Sequence, residues 1–252
     1  MNHVMTAFRV ELRKNIAATV MRATSVLLVV AITVLAGALT MAAHGGNEQV
    51  IAQLGTQSDS RGWPLLTGVA AQITAAGGLL GFAVALSWMF GREFSDGAIT
   101  GLFALPISRP TMALAKFAAY LVWVAAVALG LTLMIGAVGL ISQGSGDTSV
   151  VESLARQWGL TFFSGLLATP AAWAATIGRG LLPGIATGIG LVVVAQIMVV
   201  AGTGAWFPVA APALWAFDPG SVSGMQLAFV LVVPVASVGL TMHAWRVLEL
   251  NR

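Results

Sequence analysis

Phe117-Ala118-Ala119-Tyr120-Leu121-Val122-Trp123-Val124-Ala125-Ala126-Val127-Ala128-Leu129-Gly130-Leu131-Thr132-Leu133-Met134-Ile135-Gly136 continues to Gly146 without one Asp, Glu, Lys or Arg, between Lys116 and Asp147. A bilayer-spanning helix needs about 20 mostly apolar residues, and this stretch supplies them with residues to spare. Working outward, charged residues cut the rest of the chain into further charge-free runs at 23–47, 62–91, 157–178, 180–217 and 219–245. The six runs place spanning helices near 24–43, 65–89, 117–141, 158–177, 181–202 and 224–244. The fifth run has a second part, Thr203 to Phe217, broken by Gly204, Pro208 and Pro212 and holding Trp206 and Trp215. With the polar residues up to 223 it reads as an outer interfacial or re-entrant segment, not a seventh span.

Composition agrees. Of the 252 residues 58% are apolar and 8% charged, against about 45–50% and about 25% in soluble domains. Absence of cysteine excludes disulfide scaffolds, thiol catalysis and Cys-based metal sites. His3, His44 and His243 are too scattered to suggest a metal site. A net charge of +3 is too small an excess to point to nucleic acid.

Lys and Arg set the orientation. With the N-terminus inside, Arg9, Arg13, Lys14, Arg22, Arg92, Arg109, Lys116, Arg179, Arg246 and Arg252 are cytoplasmic, and only Arg61 and Arg156 are outside. Ten against two is the asymmetry of the positive-inside rule. Trp63, Trp88, Trp158, Trp173, Trp206 and Trp245 fall near span ends, where an amphipathic ring suits the headgroup layer. The apolar run before Ala42-Ala43-His44 is about 18 residues, longer than the 7–15 of a cleaved signal peptide. The expectation is an all-α integral membrane protein of the cell membrane, with six transmembrane helices and both termini in the cytoplasm. The domain reading is residues 1–22 as a cytoplasmic amphipathic helix, then a permease-like bundle over 23–252. In the first segment Met1, Met5, Phe8, Leu12 and Ile16 form an apolar stripe flanked by Arg9 and Arg13, as in a helix lying in the membrane interface.

The loop 91–116 is the richest segment. Ser95 or Asp96 is placed to cap a short helix, with Ile99, Leu102 and Phe103 as its apolar side, and Pro106 forces its end. Pro110 suits the first turn of the next helix after Ser108. Glu93-x3-Gly97, then Leu102-x-Ala104-Leu105-Pro106-Ile107-Ser108-Arg109, then Lys116, resembles the loop of ABC-2 type transporter permeases, the membrane subunits of ATP-binding-cassette exporters. The six-span plan, the leading amphipathic helix and the broken segment before the last span resemble that family too. The resemblance implies that this loop is a coupling helix seated on an ATPase subunit, with Glu93, Asp96, Gly97 and Arg109 as contacts and Ile99, Leu102 and Phe103 as its apolar side. It also implies a second permease chain, the same or related, and export rather than import. A phosphate-cradling loop of the form Gly-x4-Gly-Lys-Ser/Thr is required to hold ATP. The two lysines here, Lys14 and Lys116, precede Asn15 and Phe117, so ATP is expected on a separate partner and no cofactor on this chain.

Other function classes fit less well. An ion-coupled transporter needs an ionisable group or an unwound ion site within the bilayer, and none of the six spans as drawn holds a charge, although Pro170, Pro183-Gly184 and Pro234 leave room for broken helices. An intramembrane serine protease built on Ser164 and His243 fails because the two stand near opposite ends of their spans, some 20 Å apart in depth. Gly180, Gly184 and Gly188 suggest close helix packing, within the chain in preference to a dimer seam. Gln72 and Gln196 are polar side chains inside spans, candidates for a substrate path or for single interhelical hydrogen bonds. An apolar bundle suits hydrophobic drugs, peptide antibiotics or lipids better than highly charged solutes, with an antibiotic and hence antibiotic resistance as the first guess.

Overall fold

The structure is a computed structural model that describes residues 3–55, 59–97, 99, 101, 107–146 and 148–249. Among them α1 (His3–Ala17) leads, and six helices are long and apolar enough to cross a membrane. These are α2 (Thr19–His44), α4 (Trp63–Ser95), α5 (Arg109–Gln143), α6 (Thr148–Ile177), α7 (Leu181–Val200) and α9 (Gly224–Val247). Short helices α3 (Glu48–Leu54) and α8 (Ala211–Phe217) lie between them. The segment between α7 and α9 folds as α8 between two 3₁₀ turns, Gly204–Trp206 and Pro219–Ser221.

Several helices outrun the charge-free runs that announce them. α5 has 35 residues, about 52 Å at 1.5 Å each, against a hydrocarbon layer of about 30 Å. It begins at Arg109 rather than Phe117, because Ser108 caps it, accepting from the Thr111 N–H, and Pro110 sits in the first turn. α6 begins at Thr148, not near Trp158, through a polar first half that holds Glu152 and Arg156. The helices therefore carry charges near their ends, in the turns that extend beyond the charge-free spans drawn from sequence. α6 is also interrupted. Its two stretches, Thr148–Leu167 and Pro170–Ile177, meet at Ala168-Thr169, since Pro170 has no N–H to continue the ladder.

α4 and α6 form the centre, with 56% and 61% of their apolar windows buried, whereas α7 has 11% and so stands at the rim. Its outer face leaves Leu182, Ile189, Val193 and Ile197 exposed, which suits lipid and not water. The inner face of α7 meets α4 through small residues. A Cβ on Gly188 would stand 2.5 Å from the Ala83 Cβ, one on Gly184 would overlap the Ser87 hydroxyl, and one on Gly91 would stand 2.7 Å from the Gly180 carbonyl carbon. Positions 83, 87 and 91 thus face 188, 184 and 180, an antiparallel seam that brings two backbones together. The glycine spacing at 180, 184 and 188 serves packing inside the chain, as expected.

Tryptophan placement departs from a simple interfacial belt. Trp63 and Trp245 are buried, while Trp158, Trp173 and Trp206 are exposed. Trp245 packs edge-on against Phe90, and the Trp63 Nε1–H donates to the Gly144 carbonyl at 3.1 Å. Both rings are used as core wedges at the two ends of the bundle.

Candidate functional site

The ends of α4, α6 and α9 and the starts of α5 and α7 converge at one end of the bundle. Arg109 donates from Nη1 to the Leu248 carbonyl at 2.8 Å, and Arg179 from Nη2 to that of Glu249 at 2.9 Å. Arg179 takes a positive φ of 51° at the sharp link between α6 and α7, a conformation uncommon for a non-glycine residue. Against this basic end lies α1, packed along the start of α5.

α1 turns a polar face inward. Glu11 and Asn15 are buried, while Met5 and Ile16 of the apolar stripe are exposed on the outside. The inward face meets a buried ion cluster. Lys116 Nζ donates to Glu93 Oε1 at 2.6 Å and to Glu11 Oε2 at 3.0 Å, and reaches the Met89 carbonyl at 3.4 Å. Lys14 Nζ stands 2.8 Å from Glu11 Oε1 and 3.6 Å from Glu93 Oε1. Two carboxylates thus meet two ammonium groups, from α1, the end of α4 and the second turn of α5. Burial by itself would raise the Glu11 carboxyl, but Lys116 and Lys14 outweigh it and hold the group below its ordinary value of 4.5. A cavity of about 230 Å³ opens beside the cluster, between α1 and α5, with Ile107 at its edge.

A sequence model described as "ABC-2 family transporter protein" matches residues 8–197, well over half of the chain. The chain belongs to the ABC-2 transporter family. It is a multi-pass membrane protein and a membrane component of transport. No curated protein matches it.

The residues assigned to coupling separate in this ABC-2 chain into those that face out and those that do not. Glu93 is 3% exposed and its carboxylate is engaged by Lys116 and Lys14. Its charge is therefore answered inside the chain. Ser95 closes α4 rather than capping a following helix, its hydroxyl donating back to the Gly91 carbonyl at 3.3 Å. Asp96 and Gly97 are exposed. Gly97 ends α4 with a φ of 67° and donates to the Phe94 carbonyl at 3.2 Å, the left-handed stop that glycine supplies. Ile99 is helical and buried, as an inward apolar side requires. Leu102, Phe103 and Pro106 lie outside the described residues, and Arg109 is half-buried on the Leu248 carbonyl.

The proposed path residues are not brought together in a shared pocket. Gln72 and Gln196 are both exposed on the outer faces of their helices. The amide buried in the centre of the bundle is Gln157, donating to Thr74 Oγ1 at 2.9 Å, where α4 widens into a π turn over Thr74–Gly78. Ser164 is buried and donates to the Leu160 carbonyl at 2.9 Å, while His243 is exposed, so Ser164 serves packing. Glu11 went unrecognised in the sequence, although one signal was available. In a chain with nine acidic residues, Glu11 and Lys14 at i and i+3 on an amphipathic helix are charges that need partners where α1 turns inward.

Proposed function

We propose that the chain is the permease subunit of an ATP-driven exporter of hydrophobic or amphipathic compounds in the cell membrane, working with a separate ATPase and a second permease chain. The observation that carries this reading is the ion cluster, which joins α1, the end of α4 and the start of α5 into one unit around the loop 95–108. A loop held at both flanks by buried charge can pass force from a docked ATPase to two membrane helices at once. In this reading Asp96, Gly97, Leu102 and Phe103 meet the ATPase, the buried Ile99 anchors the segment to the bundle, and Glu93 and Lys116 hold its base in place. Nucleotide stays on the partner. The basic residues gathered at one end support a cytoplasmic placement of that end, with both termini on the same side if the six helices all cross. The outward stripe of α1, with Met5 and Ile16, then rests on the inner leaflet.

The test is a crosslink scored against transport. A cysteine in place of Asp96, in a chain that has none of its own, should be captured by a short bifunctional thiol reagent onto an ATP-binding protein in native membranes. Ile99→Asp should remove the capture and the export of an amphipathic antibiotic from cells. Full export with Ile99→Asp, or ATP hydrolysis by the purified chain free of other proteins, would refute the proposal.

A further inference from the structure

At the end of the bundle opposite the ion cluster, a cleft of about 460 Å³ opens between the first turns of α4, the first half of α6 and the end of α8, within the size range of small-ligand sites. Pro64, Thr67, Ser153, Arg156, Phe217 and Asp218 line it. The cleft is built by packing at its margins. Gly159 leaves room for the Trp215 ring, whose carbons would lie 3.1–3.2 Å from a Cβ there. Phe163 meets the same ring edge-on, with centroids 6.4 Å apart. These contacts lay α8 along α6 and so carry Phe217 and Asp218 to the side of Arg156. On the other wall, the Trp63 hydrogen bond to Gly144 fixes the residue before Pro64.

The charges in the cleft are incompletely answered. Arg156 donates from Nη2 to Ser153 Oγ at 2.9 Å, and its Nη1 stands 3.9 Å from the Glu152 carboxylate, whose side chain is 74% exposed. Its Nε is buried and has no hydrogen-bond partner among the described residues. Asp218 gives Oδ1 to the Gly220 N–H at 3.0 Å and lines the same cleft without pairing with Arg156 among the ion pairs of the described residues. The Thr67 hydroxyl donates to backbone carbonyls and keeps its lone pairs for a donor. One cation answered only by a hydroxyl and a long contact to an exposed carboxylate, one further carboxylate and an accepting hydroxyl, with Phe217 and Pro64 beside them, suit a ligand that carries both charges and an apolar part.

We propose that this cleft binds the headgroup of a zwitterionic amphiphile, a phosphodiester bearing a primary ammonium. The phosphate meets the accessible part of the Arg156 guanidinium, whose side chain is 25% exposed, in a charge-assisted hydrogen bond. The ammonium donates to Asp218 and Thr67, and the chains leave past Phe217 and Pro64 into lipid. Arg156 is one of only two basic residues at this end of the bundle, so the site owes nothing to a general basic surface.

Binding to the purified, delipidated chain in an uncharged detergent tests this without any ATPase, so failure here leaves the coupling proposal standing. The probes are dihexanoyl phosphatidylethanolamine, dihexanoylglycerol with the same chains and no headgroup charge, and free glycerophosphoethanolamine. The phospholipid should bind roughly tenfold or more tightly than the diacylglycerol, the scale of one charge-assisted contact. Arg156→Gln and Asp218→Asn should each remove that preference, and Arg61→Gln, outside the cleft, should keep it. Equal binding of phospholipid and diacylglycerol to the unmodified chain would overturn the proposal whether or not the variants fold. A preference that survives in folded Arg156→Gln would do so as well. Free headgroup binding as tight as the phospholipid would make the ligand a water-soluble phosphodiester and overturn the amphiphile assignment, whereas weak headgroup binding makes the source the membrane.

Discussion

Lys116→Met removes the charge at the centre of the ion cluster while keeping an unbranched side chain of similar reach. The Lys116 side chain is 2% exposed and bonds both Glu93 and Glu11, whose side chains are 4% and 9% exposed. Without it the two carboxylates must share Lys14, which is 31% exposed and stands 2.8 Å from one and 3.6 Å from the other. Removing one partner of a buried pair costs about 3–5 kcal/mol, which shifts the unfolding equilibrium roughly a hundredfold to several thousandfold. Lys14→Met, at the wet edge, should cost about 0–1 kcal/mol. The double change Glu93→Leu with Lys116→Met should be more stable than Lys116→Met alone, because Glu11 and Lys14 then pair with each other and no buried charge is stranded. Equilibrium unfolding in mixed micelles, followed by tryptophan fluorescence and far-ultraviolet circular dichroism, measures the unmodified chain, the three variants and the Glu93→Leu single that completes the cycle. If Lys116→Met loses no more stability than Lys14→Met, or the double change costs the sum of its parts, the cluster is not a coupled buried unit.

Topology is checked by single cysteines. One at Ser145 should react with a membrane-impermeant thiol reagent on intact cells, and one at Ser95 only after lysis; the reverse pattern refutes the orientation. Gly188→Leu drives a side chain into Ala83, which a Cβ alone would approach to 2.5 Å, and should cost at least about 1–3 kcal/mol, measured by thermal unfolding in detergent. For pH, Glu11 is held below 4.5 in the folded chain, so its contribution is fully present above the ordinary carboxylate value and is lost as pH falls through the lowered one. Stability should therefore drop below about pH 4.5, and Glu11→Gln should flatten that drop in unfolding curves taken from pH 6 to 3.

The bundle was legible because charge-free runs and helix breakers are local signals. Lys116 and Asp147 bracket the third span closely enough to find it, and Ser108-x-Pro110 marks where its helix starts. What the runs conceal is how far a helix continues past the hydrocarbon. The ladder of α6 runs back to Thr148 through Glu152 and Arg156, because chain outside the oily layer can carry charge and stay helical. The orientation of a side chain at a helix end is less legible still. Glu93 stands two residues before Ser95, where α4 ends, and by sequence position it reads as cytoplasmic and solvated. Only the packing of α1 on α5, which no periodicity reports, reveals that it points inward to Lys116. The cleft at the opposite end was hidden for the same reason, since Arg156 and Asp218 are brought to its lining by the Gly159–Trp215 contact and not by any motif.

The packing also bears on how force from the loop would spread. Small residues lock the end of α4 to the start of α7, from Gly91 with Gly180 to Ala83 with Gly188, and the ion cluster locks the same end of α4 to α5 and α1. A load on residues 95–108 therefore reaches α4, α5, α7 and α1 together, because sliding any one of them would strand a buried charge or open a close-packed seam. α6 is different. It is central, yet its backbone is interrupted at Ala168-Thr169 before Pro170, where the Thr169 hydroxyl donates to the Leu166 carbonyl at 2.7 Å. A helix already missing a ladder bond bends there at less cost than an intact one. The interruption separates the part of α6 that holds Trp245 through Thr176, near the ion-cluster end, from the part that carries Arg156 to the outer cleft. Motion of the locked helices relative to a bent α6 would change the cleft, whose other wall is α4, without breaking either lock. That places the deformable joint of the bundle between its ion-cluster end and its candidate ligand site.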